Sequence, residues 1–126
     1  MTATIYRVWY RRTPTQDDSS DEYIAHLGRT KNNLTSRLRN HFFAHVLQKR
    51  LEITCVSKIE YTTFETVADM YVAEIILINT YKPILNVDDK AQDELTLPIE
   101  LPPIDWVRWD KPKLMEKWKQ DRRCTR

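Results

Sequence analysis

One glycine, Gly28, serves a chain of 126 residues. Glycine is the usual answer where the backbone must take positive φ or where another group must come close. A sequence that makes every other turn without it therefore keeps this one for a local requirement. Cysteine is nearly as scarce, with Cys55 in a strand-like run and Cys124 near the end. Two residues so far apart have neither metal-ligand spacing nor the density of a disulfide scaffold, and both read as reduced and structural. No stretch approaches about eighteen uncharged apolar residues, the length a membrane-spanning helix needs. The first residues, with Arg7, Arg11 and Arg12 after a polar start, lack the apolar run of a secretory signal. The expectation is a soluble, intracellular, cytoplasmic protein with no membrane partner.

A hydrophobic content of 41% at this length suits one domain with a single core and a short appendage. The net charge of +2 is unremarked by itself, but its distribution is uneven. Residues 1–60 carry ten Lys/Arg against six Asp/Glu, residues 61–105 carry two against nine, and residues 106–126 carry eight against three. Basic ends around an acidic middle suit a polyanion held by the ends while acids between them hold a metal. Such asymmetry is only a weak pointer to nucleic acid.

Thr4 to Tyr10, rich in β-branched and aromatic residues, predicts a strand. Residues 11–22, with Pro14, three aspartates and two serines, mark a solvated loop, and Tyr23 to Gly28 returns as the second strand of an antiparallel hairpin. After Gly28 the period changes: Leu34, Leu38, Phe42 and Val46 recur every four residues, one face of a helix that Asn32 or Asn33 can cap. Residues 51–61 form a third strand candidate with Ile53, Cys55, Ile59 and Tyr61 on one side. Thr66-Val-Ala-Asp69 then opens a second helix, running through Tyr81 until Lys82-Pro83 stops it. From Leu95 onward Pro98, Pro102 and Pro103 punctuate a linker or surface-hugging arm, and Pro112 to Arg123 predicts a short basic helix. The expected fold is α+β, β-β-α-β-α, with a three-stranded antiparallel sheet flanked by helices in residues 1–94. Residues 95–126 form the proline-punctuated arm and a basic, Trp-containing C-terminal helix.

Glu74 is the most informative position, because Val67, Met70, Tyr71, Leu77, Ile78 and Tyr81 place it inside the apolar stripe of the second helix. A carboxylate there normally finds a cationic partner, takes up a proton or binds a metal. Arg37 and His41, four apart, share a face of the first helix, where a guanidinium fork can grip a phosphate and an imidazole can move a proton. Each also has an ordinary reading, an ion pair for Glu74 and a solvated basic face for the others. Gly28 is explained equally by a plain turn and by close approach to a ligand. Asn86 serves either a turn or the site, and Tyr6 as a core residue is the commoner case. Trp106, Trp109 and Trp118, among basic residues, suit packing of the tail better than stacking on bases.

Together, His26-Leu27-Gly28-Arg29-Thr30, then Leu34, Arg37 and His41, then Glu74, Leu77-Ile78, Pro83 and Asn86 resemble the GIY-YIG nuclease pattern, with Thr4-Ile5-Tyr6 standing where its first motif would be. The resemblance covers residues 4–86. Its most specific elements are the motif order, the nine-residue step from Gly28 to Arg37 and the twelve-residue step from Glu74 to Asn86. Thr4 replaces the family's first glycine and His26 its second tyrosine, while Tyr23-Ile24-Ala25 offers a second YIG-like alignment that leaves Gly28 without a role. What the resemblance implies is hydrolysis of a DNA phosphodiester by an activated water, with one Mg2+ or Mn2+ ion held by Glu74. Tyr6 would accept or relay the proton, on condition that nearby positive charge lowers a phenol pKa of about 10. His26, as a histidine with an ordinary value of about 6.5, is the easier base. Arg37 would stabilise charge on the phosphate, and His41 and Asn86 would orient these groups or hydrogen-bond to the phosphate. Arg29, Lys31, Arg39 and the tail, including Lys113 and Lys117, would grip DNA through its phosphates. The protein would act as a monomer or homodimer. The alternative is a nucleic-acid-binding module on the same scaffold that does not cleave.

Overall fold

The computed structural model describes residues 3–11, 22–41, 56–83, 95–111, 113, 114, 116 and 117, with the backbone alone for Asn40 and His41. The arrangement is α+β, as expected. Strands β1 (Ala3–Arg11) and β2 (Glu22–Thr30) pair antiparallel. Helix α1 (Leu34–His41) follows, then β3 (Val56–Phe64), helix α2 (Val67–Tyr81) and the two-residue β4 (Val107–Arg108). Among the described residues the sheet has four strands rather than three, in the order β2-β1-β3-β4. The fourth comes from the proline-punctuated arm. Two residues are too few to show a period, and Trp106 and Trp109 on either side conceal a pairing that needs only an edge.

Gly28 does not end its strand. β2 runs on to Thr30 because Arg29 and Thr30 pair with Ile5 and Thr4, and cross-strand pairing outweighs one poor strand former. On its other side β1 pairs with β3, which continues past Tyr61 so that Thr62, Thr63 and Phe64 meet Ile5, Thr4 and Ala3. Each of these ladders has one irregularity beside Trp9, an extra residue at Ala25 in β2 and at Ser57 in β3. The second brings Val56 onto the face of Ile59, so the strict alternation expected for residues 51–61 fails there. Residues 51–55 of that candidate strand, Phe42 and Val46 of the first helical stripe, Asn86 and Trp118 lie outside the described residues.

Helix α1 starts at a cap the sequence had narrowed to two asparagines: Asn33 Oδ1 accepts from Ser36 N at 3.2 Å. Helix α2 matches its expected bounds, with Thr66 Oγ1 accepting from Asp69 N at 3.0 Å and Lys82 closing the helix at φ 47°. The two helices cover opposite faces of the sheet. On one, Leu38 packs with Tyr6, Val8, Tyr10, Ala25, Val56, Ile59 and Trp109. On the other, Met70, Ala73, Leu77 and Ile78 pack on Ala3, Ile5 and Leu27. Burial of each large side chain of this kind contributes about 1.5–3 kcal/mol.

The arm joins both layers. Leu101, Ile104 and Trp106 pack on the α2 side, β4 binds the edge of β3, and Trp109 and Leu114 pack on the α1 side. Trp109 N donates to Ile59 O at 2.8 Å and its Nε1 donates to Thr35 Oγ1 at 3.2 Å. Both described tail tryptophans are thus used for packing. Lys113, Leu114, Glu116 and Lys117 are helical, in the segment expected to form the basic helix. Among the described residues no helix is long and apolar enough to cross a membrane.

Candidate functional site around the edge of β2

With one edge of the sheet occupied by the arm, β2 is the other edge in the strand order. Along it lies a cavity of about 630 Å³ that takes residues from both faces. His26, Gly28 and Arg37 come from the α1 side, Arg29, Tyr71 and Glu74 from the α2 side, and Lys31 and Asn32 from the exit of the strand.

Gly28 is what makes this possible. It stands opposite Tyr6, its φ is not positive, and a Cβ built there would run into the Tyr6 ring, 2.8 Å from Cε1 and closer still to Cζ and the hydroxyl. The glycine is therefore neither a turn nor a conformational device. It leaves the room in which the phenol of an internal strand lies directly against Gly28, a residue of the cavity wall.

Tyr6 is fully buried. Burial raises its phenol above the ordinary 10.0; Arg37, by charge and hydrogen bonding, pulls it down by less, and the charge of Glu74 adds to the rise. The condition under which Tyr6 would serve as a base, a phenol lowered by neighbouring positive charge, is not met. It stays protonated at neutral pH and is a donor. The guanidinium does not complete a hydrogen bond of good geometry to it: the Tyr6 hydroxyl and Arg37 Nε are both buried polar atoms with no hydrogen-bond partner among the described residues. Natively such donors are nearly always satisfied, and leaving one bare costs about 1–3 kcal/mol.

Glu74 is 5% exposed, within the apolar stripe of α2 as its spacing predicts. It forms an ion pair with Arg29, whose guanidinium donates to Glu74 Oε1 and lies 4.6 Å from the centre of the Tyr71 ring. The ordinary reading of Glu74, a buried ion pair, is what is found, and the same carboxylate also lines the cavity. Among the described residues no three His, Cys, Asp or Glu side chains cluster as a metal cage. A hard cation such as Mg2+ keeps several waters and needs only one or two protein carboxylates, so Glu74 fits such an ion once its pair with Arg29 is opened.

His26 lines the cavity half-buried, its ring 6.1 Å from that of Tyr6. Lys31 is exposed at the mouth, 5.9 Å from Tyr71. Tyr6, His26, Arg29, Lys31, Arg37 and Glu74 are thus brought together. Arg39, Lys113 and Lys117 are exposed and do not line the cavity. His41 is the last residue of α1, with only its backbone described, and Asn86 lies outside the described residues.

Two features escaped the sequence. Tyr71 was placed only in the apolar stripe, although it lies one turn before Glu74 and therefore beside it. The pairing of Arg29 with Glu74 had a signal as well, since Arg29 alternates with Gly28 and so falls on the opposite face, toward α2. Comparison with protein-family models gives no match, and comparisons with curated proteins and with solved structures give none either.

Proposed function

We propose that this chain is a divalent-metal-dependent endonuclease of GIY-YIG type that hydrolyses DNA phosphodiester bonds. The observation that carries the reading is a pair of buried donors with no hydrogen-bond partner among the described residues: Arg37 Nε, on a residue that lines the cavity together with Glu74, and the Tyr6 hydroxyl, packed against Gly28 of the cavity wall. A phosphate can accept from both at once, and Arg37 brings the positive charge that offsets the charge gained as the phosphoryl group is attacked. A Mg2+ or Mn2+ ion bound at Glu74 would supply Lewis-acid polarisation of the phosphate.

Tyr6, held protonated, donates to a phosphate oxygen and fixes its position. His26 is left as the base: it takes a proton from water as the water oxygen bonds to phosphorus, the bond to the leaving sugar oxygen breaks, and that oxygen gains a proton from solvent. Lys31 at the mouth, Arg39 and the exposed Lys113 and Lys117 supply salt-dependent contacts to the backbone of the substrate. One observation favours the non-cleaving alternative, namely that Arg29 already neutralises Glu74.

The test is incubation of the purified protein with supercoiled plasmid and Mg2+, with and without chelator. Nicking that the chelator stops is expected, and His26→Ala should slow it by a factor of about 10² or more, the usual size of a general-base contribution. Salt-dependent DNA binding without nicking selects the alternative. Neither binding nor nicking overturns both.

A further inference from the structure

The Arg29–Glu74 pair is unequal. The Glu74 side chain is 6% exposed and the Arg29 side chain 35%. The carboxylate is fixed by a packed helix, with Met70, Ala73, Leu77 and Ile78 buried around it, whereas the guanidinium reaches in from an edge strand at the lip of the cavity. If the two separate, Arg29 is the one that moves. A second seat is ready for it, because its Cζ is already 4.6 Å from the Tyr71 ring centre and a guanidinium can keep that contact while its donors turn outward. No other cationic side chain pairs with Glu74 among the described residues.

We propose that Arg29 is a resident counter-ion occupying the place of the divalent cation at Glu74, and that a substrate phosphate draws it away. This rests on the nuclease reading of the same cavity. Cation and guanidinium compete for one buried carboxylate, so the free protein binds a divalent ion weakly. A phosphate at the mouth is a better partner for a planar guanidinium than a carboxylate it must share, and it lies where Lys31 also points its charge. Phosphate binding therefore releases Glu74, and the ion enters with the substrate rather than before it. The coupling is reciprocal, so bound metal tightens the hold on the phosphate backbone by the same factor.

Mn2+ alone, titrated into the intact protein and followed by electron paramagnetic resonance of the free ion, reads this directly. Arg29→Gln should bind Mn2+ at least tenfold more tightly than the native chain, and a short duplex DNA should tighten the native protein but not this variant. Arg29→Lys, which keeps the charge and loses the fork, should fall between them and serves if Arg29→Gln does not fold. Glu74→Gln should bind no Mn2+ at this site. If Glu74→Gln binds Mn2+ like the native chain, the metal assignment underlying the nuclease reading fails. If Glu74→Gln loses binding while neither Arg29 variant gains any, the displacement idea is overturned and the nuclease reading stands.

Discussion

Glu60 and Glu74 are both carboxylates shielded from solvent beside arginines, on opposite flanks of β1, and they are treated differently. Glu60 Oε1 accepts from Arg7 Nε at 2.8 Å and from Trp9 Nε1 at 2.5 Å. Arg7 in turn donates to the Tyr81 hydroxyl at 3.3 Å and lies 5.1 Å from the centre of the Trp9 ring and 4.1 Å from that of Trp106. That cluster uses what it has. Around Glu74 there is surplus: two buried donors without partners among the described residues, a guanidinium at the lip and an open volume. The contrast separates a polar cluster that holds a fold from one with capacity left for a ligand.

The largest test of that contrast is to remove the arm, which belongs to the saturated flank. A chain ending at Asp105 loses Trp106, β4 and the buried Trp109. Loss of one buried tryptophan costs about 3–5 kcal/mol. Against a total stability of about 5–15 kcal/mol, circular dichroism should find this truncation unfolded. The intact chain carrying Lys113→Gln and Lys117→Gln should fold normally and show a shallower salt dependence of DNA binding; an unchanged slope would remove those lysines from the interface.

Exchanging the two acids sharpens the comparison further. Glu74→Gln should abolish cleavage while keeping the thermal midpoint, because Arg29 can turn toward water. Glu60→Gln should do the reverse, leaving cleavage intact and costing about 1–3 kcal/mol, since the mostly buried Arg7 loses its charged partner. Equal losses of stability in the two variants would erase the distinction.

Gly28→Ala follows, with an expected cost of about 1–3 kcal/mol from overpacking against the Tyr6 ring. Cleavage should fall beyond that, because the phenol must move off its place against the cavity wall to make room. Tyr6→Phe is the smallest. Deleting a hydroxyl that has no partner among the described residues should cost nothing measurable near neutrality, unlike loss of a satisfied one. At alkaline pH the two proteins separate. The folded phenol is raised above 10.0, so its contribution is complete below that value and disappears as pH climbs through the raised one. Tyr6→Phe should therefore resist alkaline unfolding better than the native protein in melts across that range.

Much of this architecture was legible in the sequence, and the parts that were not share a cause. Periodicity and caps marked α2 from Thr66 to Lys82 and placed Glu74 in its stripe, because helix signals are local. β4 and the full length of β2 depend on partners distant in the chain, which local pattern cannot supply. Within the site, Arg37, His26 and Glu74 were identified as residues. Their convergence was not, because it depends on register: only with Tyr6 opposite Gly28 does the single glycine become the place where the phenol meets the cavity wall. The direction of the Tyr6 phenol was likewise hidden, since burial outweighs the nearby charge only once the packing is known.

The extra residues beside Trp9 bear on how the chain tolerates the loss of a codon. Removing one residue from a strand normally turns every side chain beyond the cut to the wrong face. Ser57 is an exception, because Val56 already pairs with Tyr10 and Lys58 with Trp9, so excising it would restore a regular ladder with both halves in register. Its loss forfeits little beyond a 3.3 Å hydrogen bond to Trp9 O. Ala25 is redundant in the same sense, though it is fully buried and its removal would leave a void. Deletions anywhere else between Tyr23 and Thr30, or between Lys58 and Phe64, have no such spare residue to absorb them, and those are the stretches that hold Gly28 opposite Tyr6 and Glu60 opposite Arg7.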